Sequence, residues 1–252
     1  MFFNLFGSGK EKEIEEYAEK MAKAALDDNL DADFLEERID FAKKKDLGNK
    51  QLAKAQAKAC DRVFEELYQD GYMNDEDYDL YADLLKLCYM MKEDDKYRYK
   101  TIAGRCNALY KIQEKGLLPR MNREYANVKY REGEELYFTA SARFMTAAGK
   151  PVKGEGTVIA PGKPFRVGNF ENHEDKSAWK EGEKGAFWLT GERIGFRSKV
   201  KKETIELADL EQAEIGKGPL CLYEKGKEEP LSIALDDYEM VGAILSNLMN
   251  GK

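Results

Sequence analysis

A basic segment near the middle of the second half of the chain could bind anions. The sequence RSKVKK carries Arg197, Lys199, Lys201 and Lys202, near the end of one predicted strand and the start of the next. Four cations at a hairpin tip can grip the phosphates of a lipid headgroup. The alternative interpretation is a solvated tip whose charges keep a strand edge from pairing with other chains.

An acidic cluster in the first half raises the hypothesis of a weak cation site. Its candidate ligands are Asp70, Asp75, Asp77 and Asp79. A calcium loop of the EF-hand type that starts at Asp75 needs Gly at its sixth position and Glu at its twelfth. The chain has Leu80 and Lys86 at those positions. Acidic residues at a helix start are already favoured by the helix dipole, which is the alternative explanation.

Residues that could support catalysis are sparse. The single histidine, His173, lies in a polar, turn-like segment with no fitting nucleophile near it in sequence. The Gly-Lys pairs lack the spacing of a phosphate-binding loop, and neither GxGxxG nor HExxH occurs. We therefore predict a protein that is not an enzyme and that has no cofactor.

Composition and charge limit the class of protein further. The 252 residues include 41 Lys+Arg and 48 Asp+Glu, a net charge of −7, with −5 on the first 125 residues. Such a balance argues against nucleic-acid binding, which needs a strongly positive surface. The chain contains neither an apolar run of about 18 residues nor a recognisable signal peptide. We predict a cytoplasmic protein without a transmembrane segment, with buried free thiols at Cys60, Cys88, Cys106 and Cys221.

The first half of the chain has helical periodicity and is predicted to form a helical bundle over residues 8–120. Apolar residues recur at helical spacing in about five segments with short connections. Asp31 and Asn74 are placed to cap two of the helices at their N-termini. Gly48 and Gly116 are predicted to end two of them.

The second half, residues 126–252, is predicted to contain about seven strands and one final helix. All six prolines lie in this half or just before it, and short β-branched and aromatic runs alternate with turn residues. The predicted strands are ELYFTASARFM, GTVIAPG, PFRVGNF, AFWLT, RIGFRS, ETIEL and LCLYEKG. The final helix shows an apolar stripe, and Asp236 with Glu239 suits a capping box at its start.

Three of these strands form a predicted meander with one buried face. Phe187 and Leu189 alternate with Trp188 and Thr190, and the following strands continue the alternation. Gly191-Glu192 suits a two-residue hairpin turn of type II′, because Gly is favoured at the first central position.

The meander resembles the GRAM and bacterial pleckstrin-homology-like domains. The matching residues are, in order, Trp188-Leu189-Thr190, Arg193-Ile194, Phe196, Ile205-Glu206-Leu207 and Asp209-Leu210. The resemblance implies a β-barrel or sandwich of about seven strands, closed by the C-terminal helix. One departure concerns charge: lipid-binding members usually carry their basic residues in the first strand-turn-strand unit, which here is the mixed segment KYREGEELYF.

The helical half resembles TerB-like bundles, although fewer residues carry this resemblance than the one of the meander. QDGYMNDEDYDLYADLLKL resembles an acidic step of those bundles, and Gly116-Leu117-Leu118-Pro119 stands where related two-domain proteins have such a linker. This resemblance implies a tellurite-resistance-like protein whose carboxylates have been linked to metal.

The sequence thus predicts an α+β protein of two domains with an interaction function. We expect a non-enzymatic adaptor whose β domain mediates docking to a protein partner or self-association. One alternative is a peripheral protein that binds anionic lipid through residues 197–202. Another is a metal-associated stress protein that uses the acidic helical half.

Overall fold

The computed structural model describes residues 8–68, 71–126, 128–147, 156–168, 179–216 and 218–251. The chain divides into two compact units, Met1–Tyr110 and Lys111–Lys252. The first unit holds helices and the second holds an antiparallel sheet, so the fold is α+β as predicted. The predicted domain limits, 8–120 and 126–252, remain predictions.

Among the described residues, five α-helices precede the first strand: α1 Ser8–Leu26, α2 Ala32–Lys44, α3 Asn49–Leu67, α4 Asp75–Leu87 and α5 Glu93–Lys115. The two predicted N-caps are confirmed, because Asp31 and Asn74 accept hydrogen bonds from the backbone N–H groups of Phe34 and Asp77. Gly48 was predicted to end a helix, and this is wrong. It is the N-cap of α3, where its backbone N–H donates to Gln51.

The core of the helical unit is formed mainly by α1, α3 and α4. Tyr17 and Met21 of α1 pack in one cluster with Val63 of α3 and Leu84 of α4, and all four are almost fully buried. Alanines on α1 and α3 allow the two helices a close approach, which is the most extensive helix pairing in the unit. The four cysteines are buried free thiols, as predicted. Within the described ranges, no helix is both long and apolar enough to span a bilayer.

As far as the structure describes it, the second unit is built on one antiparallel sheet. Its strands are β1 Leu136–Ala147, β2 Thr157–Ile159, β3 Trp179–Thr190, β4 Arg193–Arg197, β5 Lys202–Glu206, β6 Leu210–Ile215, β7 Leu220–Glu224 and β8 Leu231–Ala234. Their order is β2-β6-β7-β8-β1-β3-β4-β5. The prediction was a β-barrel or sandwich of about seven strands with a C-terminal helix. The described sheet has eight strands, and it is not a closed barrel, because its edges β2 and β5 do not pair.

One predicted strand is absent over its described residues, and two of the described strands were missed. PFRVGNF forms no ladder over its described residues, because the backbone N–H groups of Phe165 and Val167 bond instead to the side chains of Ser246 and Gln113. Both residues are still buried. The missed strands are β6 and β8, whose sequences LEQAEI and LSIA are too short or too polar to show alternation.

The final helix, α6 Tyr238–Asn250, packs through the predicted stripe. Val241, Ile244 and Leu245 are fully buried. The helix starts one residue later than predicted, since Asp237 rather than Asp236 accepts from the backbone N–H of Met240. Gly251 ends the helix in the left-handed conformation.

Candidate functional site

The outer face of strands β3, β4 and β5 carries an unusual concentration of cations. Strand alternation places Arg193, Gly195 and Arg197 of β4 on this face. Pairing then brings Lys202 opposite Arg197 and Thr204 opposite Gly195. On the other neighbour, Trp188 pairs with Gly195. The opposite face holds Phe187, Leu189, Ile194 and Phe196, which are fully buried.

A segment that precedes the sheet covers part of this outer face. Met121, Ala126, Val128 and Tyr130 form a small cluster with Trp188, which is only 3% exposed. The prediction of one buried face is therefore wrong for β3, because Trp188 and Thr190 are buried on the other face as well. We call residues 121–126 and 128–131 the cover segment.

Gly195 lets the indole lie flat against β4. A Cβ atom at this position would stand 2.1 Å from Cζ2 of Trp188, which is shorter than any van der Waals contact. The guanidinium of Arg193 lies over the same indole ring at 5.2 Å. The ring thus has glycine backbone and a cation as neighbours, and it forms the floor between the cover segment and β4.

A buried ion pair holds the end of the cover segment in place. Arg193 donates from Nε and Nη2 to the two carboxylate oxygens of Glu134, each at 2.8 Å, and Nη2 also donates to the carbonyl of Lys129 at 2.7 Å. Thr190 Oγ1 and the backbone N–H of Arg131 add further bonds to Glu134. Burial by itself would raise the pKa of the Glu134 carboxyl, but these hydrogen bonds outweigh burial and lower the pKa to about 2.

The turn between β3 and β4 differs from the predicted type II′ turn. Gly191 does not adopt the positive φ that a type II′ turn requires. Instead, Thr190 Oγ1 accepts hydrogen bonds from the backbone N–H groups of Glu192 and Arg193. The same hydroxyl that bonds to Glu134 therefore closes the turn.

Two adjoining hollows lie beside the cover segment, with volumes of about 500 and 470 Å³. They share Val128, Trp188 and Arg197. The cations that line one or both are Lys129, Arg131, Lys184, Arg193, Arg197, Lys199 and Lys202. Among the described residues, neither hollow is lined by an Asp or a Glu. We call the two hollows together the cationic groove.

Two of these cations form ion pairs with carboxylates of the described residues. Arg193 pairs with Glu134, and Arg131 pairs with Glu192 at 3.0 Å and with Glu206 at 2.6 Å. In the part of the chain that the structure describes, no carboxylate lies within ion-pair distance of the four groove lysines. These lysines are Lys129, Lys184, Lys199 and Lys202. The second unit as a whole, residues 111–252, has 23 basic and 23 acidic residues, so the groove concentrates positive charge on a neutral unit.

The structure brings three of the four predicted basic residues together. Arg197, Lys199 and Lys202 line the cationic groove. Lys201 does not: its Nζ stands 3.6 Å from the centre of the Phe144 ring, on the other face, and 3.5 Å from Glu203. Val200, which lies between Lys199 and Lys201 in the sequence, is 78% exposed at the hairpin tip.

Sequence reasoning missed the remaining members of the groove: Lys129, Arg131, Lys184 and Arg193. Lys184, Ala186 and Trp188 do alternate on one face of β3, so the pattern contained a signal for Lys184. Nothing in the pattern indicated that Lys129 and Arg131 would fold back over that face.

Three of the four acidic residues predicted for metal binding lie on α4 in the described residues. Asp75 and Asp77 lie in the first turn of α4, and Asp79 lies one turn further on. Asp75 accepts a hydrogen bond from Asn107 at 2.9 Å. Asp70 and His173 lie outside the described residues. Among those described, no group of three His, Cys, Asp or Glu side chains could hold a metal ion.

Comparisons with known proteins add no family to this geometry. No family model matches the chain, and no curated protein matches it significantly. The resemblances to pleckstrin-homology-like and TerB-like domains therefore rest on the residues quoted for them and remain predictions.

Proposed function

We propose that the β unit is a non-enzymatic docking module whose cationic groove binds the phosphate groups of an anionic lipid surface. The observation that carries this proposal is the lining of the groove, with seven cations and no acidic residue among the described ones. Lysines without a carboxylate partner keep their charge available for phosphates, and each contributes about 1 kcal/mol near an anionic membrane.

The hairpin tip favours a membrane over a small soluble anion. Val200 is 78% exposed and is flanked by Lys199 and Lys201. An apolar side chain at a basic tip can enter the headgroup region while the lysines remain with the phosphates. The net charge of −7 opposes binding at long range, so the attraction has to come from this one face.

Sedimentation with lipid vesicles tests the proposal. The full chain is mixed with phosphatidylcholine vesicles that contain or lack phosphatidylserine, at low and at physiological salt. We expect binding only to the anionic vesicles, weaker at higher salt. A variant with Lys199→Glu and Lys202→Glu should lose about tenfold or more in partitioning, because two attractive charges become repulsive.

A matched variant separates the groove from total charge. Lys163→Glu with Arg166→Glu makes the same change in net charge at exposed residues of the same unit that do not line the groove. This control should bind almost as the unmodified chain does. Equal losses in both variants would show that only total charge matters, and no binding of the unmodified chain at low salt would overturn the proposal in favour of a protein partner.

The contribution of Val200 can be measured separately. Val200→Asp places a carboxylate at the exposed tip and leaves every groove cation in place. We expect weaker binding to anionic vesicles than for Val200→Thr, which keeps the shape and adds no charge. Equal binding of the two variants would show that the tip does not enter the interface.

A further inference from the structure

The helical unit has a groove of its own, between α3 and the start of α5. It has a volume of about 440 Å³. Helix α3 contributes Asn49, Lys50, Ala53 and Ala57 to one wall, and α5 contributes Asp95, Arg98 and Tyr99 to the other. Met90, Met91 and Lys92, in the connection between α4 and α5, complete the lining. We call this set of residues the α3–α5 groove.

The floor of this groove is apolar and is held in position. Ala53 and Ala57 are one helical turn apart on α3, and their short side chains leave the space open. The backbone N–H of Met90 donates to Gln56 at 2.9 Å, and the hydroxyl of Tyr99 donates to Asp61 at 2.7 Å. These bonds fix the methionine connection and the tyrosine ring to α3, so the groove exists before anything binds. Methionine side chains adapt to apolar groups of different shape.

The rim of the groove is cationic, although the unit around it is acidic. The charged residues that line it are Lys50, Lys92, Arg98 and Asp95, while Glu93 and Asp94 lie in the same first turn of α5 without lining the groove. No ion pair joins these three cations to a carboxylate among the described residues. Residues 1–110 as a whole have 18 basic and 25 acidic residues, so their net charge is −7. The lining itself therefore has two more positive than negative charges, in contrast to the unit as a whole.

We infer that the α3–α5 groove is a docking site for a peptide segment of a partner protein that carries one or two apolar side chains flanked by carboxylates. The apolar side chains occupy the space above Ala53, Ala57 and Met90. The carboxylates pair with the cations on the rim, and this charge complementarity selects acidic segments. The inference goes beyond the proposed membrane binding and does not depend on it, because it concerns residues of the other unit.

Selection from a random peptide library displayed on phage, with the full chain immobilised, tests the inference. We expect the recovered peptides to combine Asp or Glu with Leu, Ile, Met or Phe. One recovered peptide, synthesised with a fluorescent label, should bind the full chain with a dissociation constant that rises with salt. Recovery of no peptide, or of peptides without acidic residues, would overturn the inference.

Variants locate the binding. Lys92→Glu with Arg98→Glu changes two exposed rim cations and should weaken binding of the labelled peptide by about tenfold or more. Ala53→Trp should block the floor, and its melting temperature shows whether it folds. The control, Lys23→Glu with Lys44→Glu, alters the net charge of the same unit equally at exposed lysines outside the groove. Binding that survives the rim variant, or falls equally in the control, would rule out the groove as the site.

Discussion

At the scale of single residues, the ion pair of Glu134 with Arg193 differs from the other ion pairs of the β unit. The side chain of Glu134 is fully buried and that of Arg193 is 14% exposed. The pair of Arg131 with Glu206 has the same two-pronged geometry, but its side chains are 48% and 38% exposed. Breaking a buried pair leaves a charge without its partner and costs several kcal/mol, whereas an exposed pair contributes little.

Glu134→Gln should therefore lower the free energy of unfolding at neutral pH by about 3 kcal/mol. Glu206→Gln, the matched exposed change, should cost less than about 1 kcal/mol. Chemical denaturation of both variants checks the difference. If both variants lost a similar amount of unfolding free energy, burial would not strengthen the Glu134 pair.

The lowered pKa of Glu134 also leads to a prediction about the stability of the protein in acid. The pKa of Glu134 is lowered from 4.5 to about 2 on folding. Its stabilising contribution is thus fully present above about pH 4.5 and is lost as the pH falls toward 2. Chemical denaturation at a series of pH values measures the free energy of unfolding. Between about pH 4.5 and pH 2 this free energy should fall less steeply for Glu134→Gln than for the unmodified chain. Parallel curves would contradict the lowered pKa.

At the scale of elements, sequence patterns predicted the structural features that depend on residues close together along the chain. The N-caps Asp31 and Asn74, and the apolar stripe of α6, follow from local chemistry and are confirmed. The burial of Trp188 depends on a segment about 60 residues earlier, and the irregular path of Phe165 depends on a hydrogen bond from its backbone N–H to Ser246. Three cations of the cationic groove were predicted because they are close in sequence, whereas Lys129 and Arg131 were missed because they reach the groove only when the cover segment folds over this face of the sheet.

Helix α6 offers a graded test of packing against the sheet. Leu245 is fully buried, and Leu248 on the same stripe is half-buried. Leu245→Asp should lower the free energy of unfolding by several kcal/mol, because it buries a charge without a partner. Leu248→Asp should cost less, since its carboxylate can reach water. Thermal melting of both variants checks the order, and a melting temperature of Leu245→Asp equal to that of the unmodified chain would show that α6 covers no core.

At the scale of the whole molecule, charge is divided unevenly between the two units. The first unit carries the entire net charge of −7, and the second is neutral. Each unit nevertheless has a groove whose described lining carries more cations than carboxylates, on β3–β5 in one case and between α3 and α5 in the other. The two proposals therefore assign different anionic partners to the two units, a lipid surface and an acidic peptide, and variants of one groove should leave binding at the other unchanged.

The boundary between the units leads to a prediction about fragments. It falls after Tyr110, within α5, so the last turn of this helix belongs to the second unit. There the carbonyl of Ile112 accepts from Asn247 at 3.3 Å, and Gln113 accepts from the backbone N–H of Val167 at 2.9 Å. Ile112 is also buried.

A fragment of residues 111–252 should therefore be more stable than one of residues 120–252, which lacks these contacts but keeps Arg120 and the whole cover segment. Two hydrogen bonds and one buried isoleucine are worth about 3 kcal/mol together. Chemical denaturation followed by circular dichroism measures the difference, and both fragments should show a strand-rich spectrum. Residues 1–110 expressed alone should show a helical one. Equal stability of the two β fragments would mean that the last turn of α5 adds nothing to the sheet unit, and unfolded fragments on both sides of the boundary would contradict independent folding, because each unit would then need the other to complete its core.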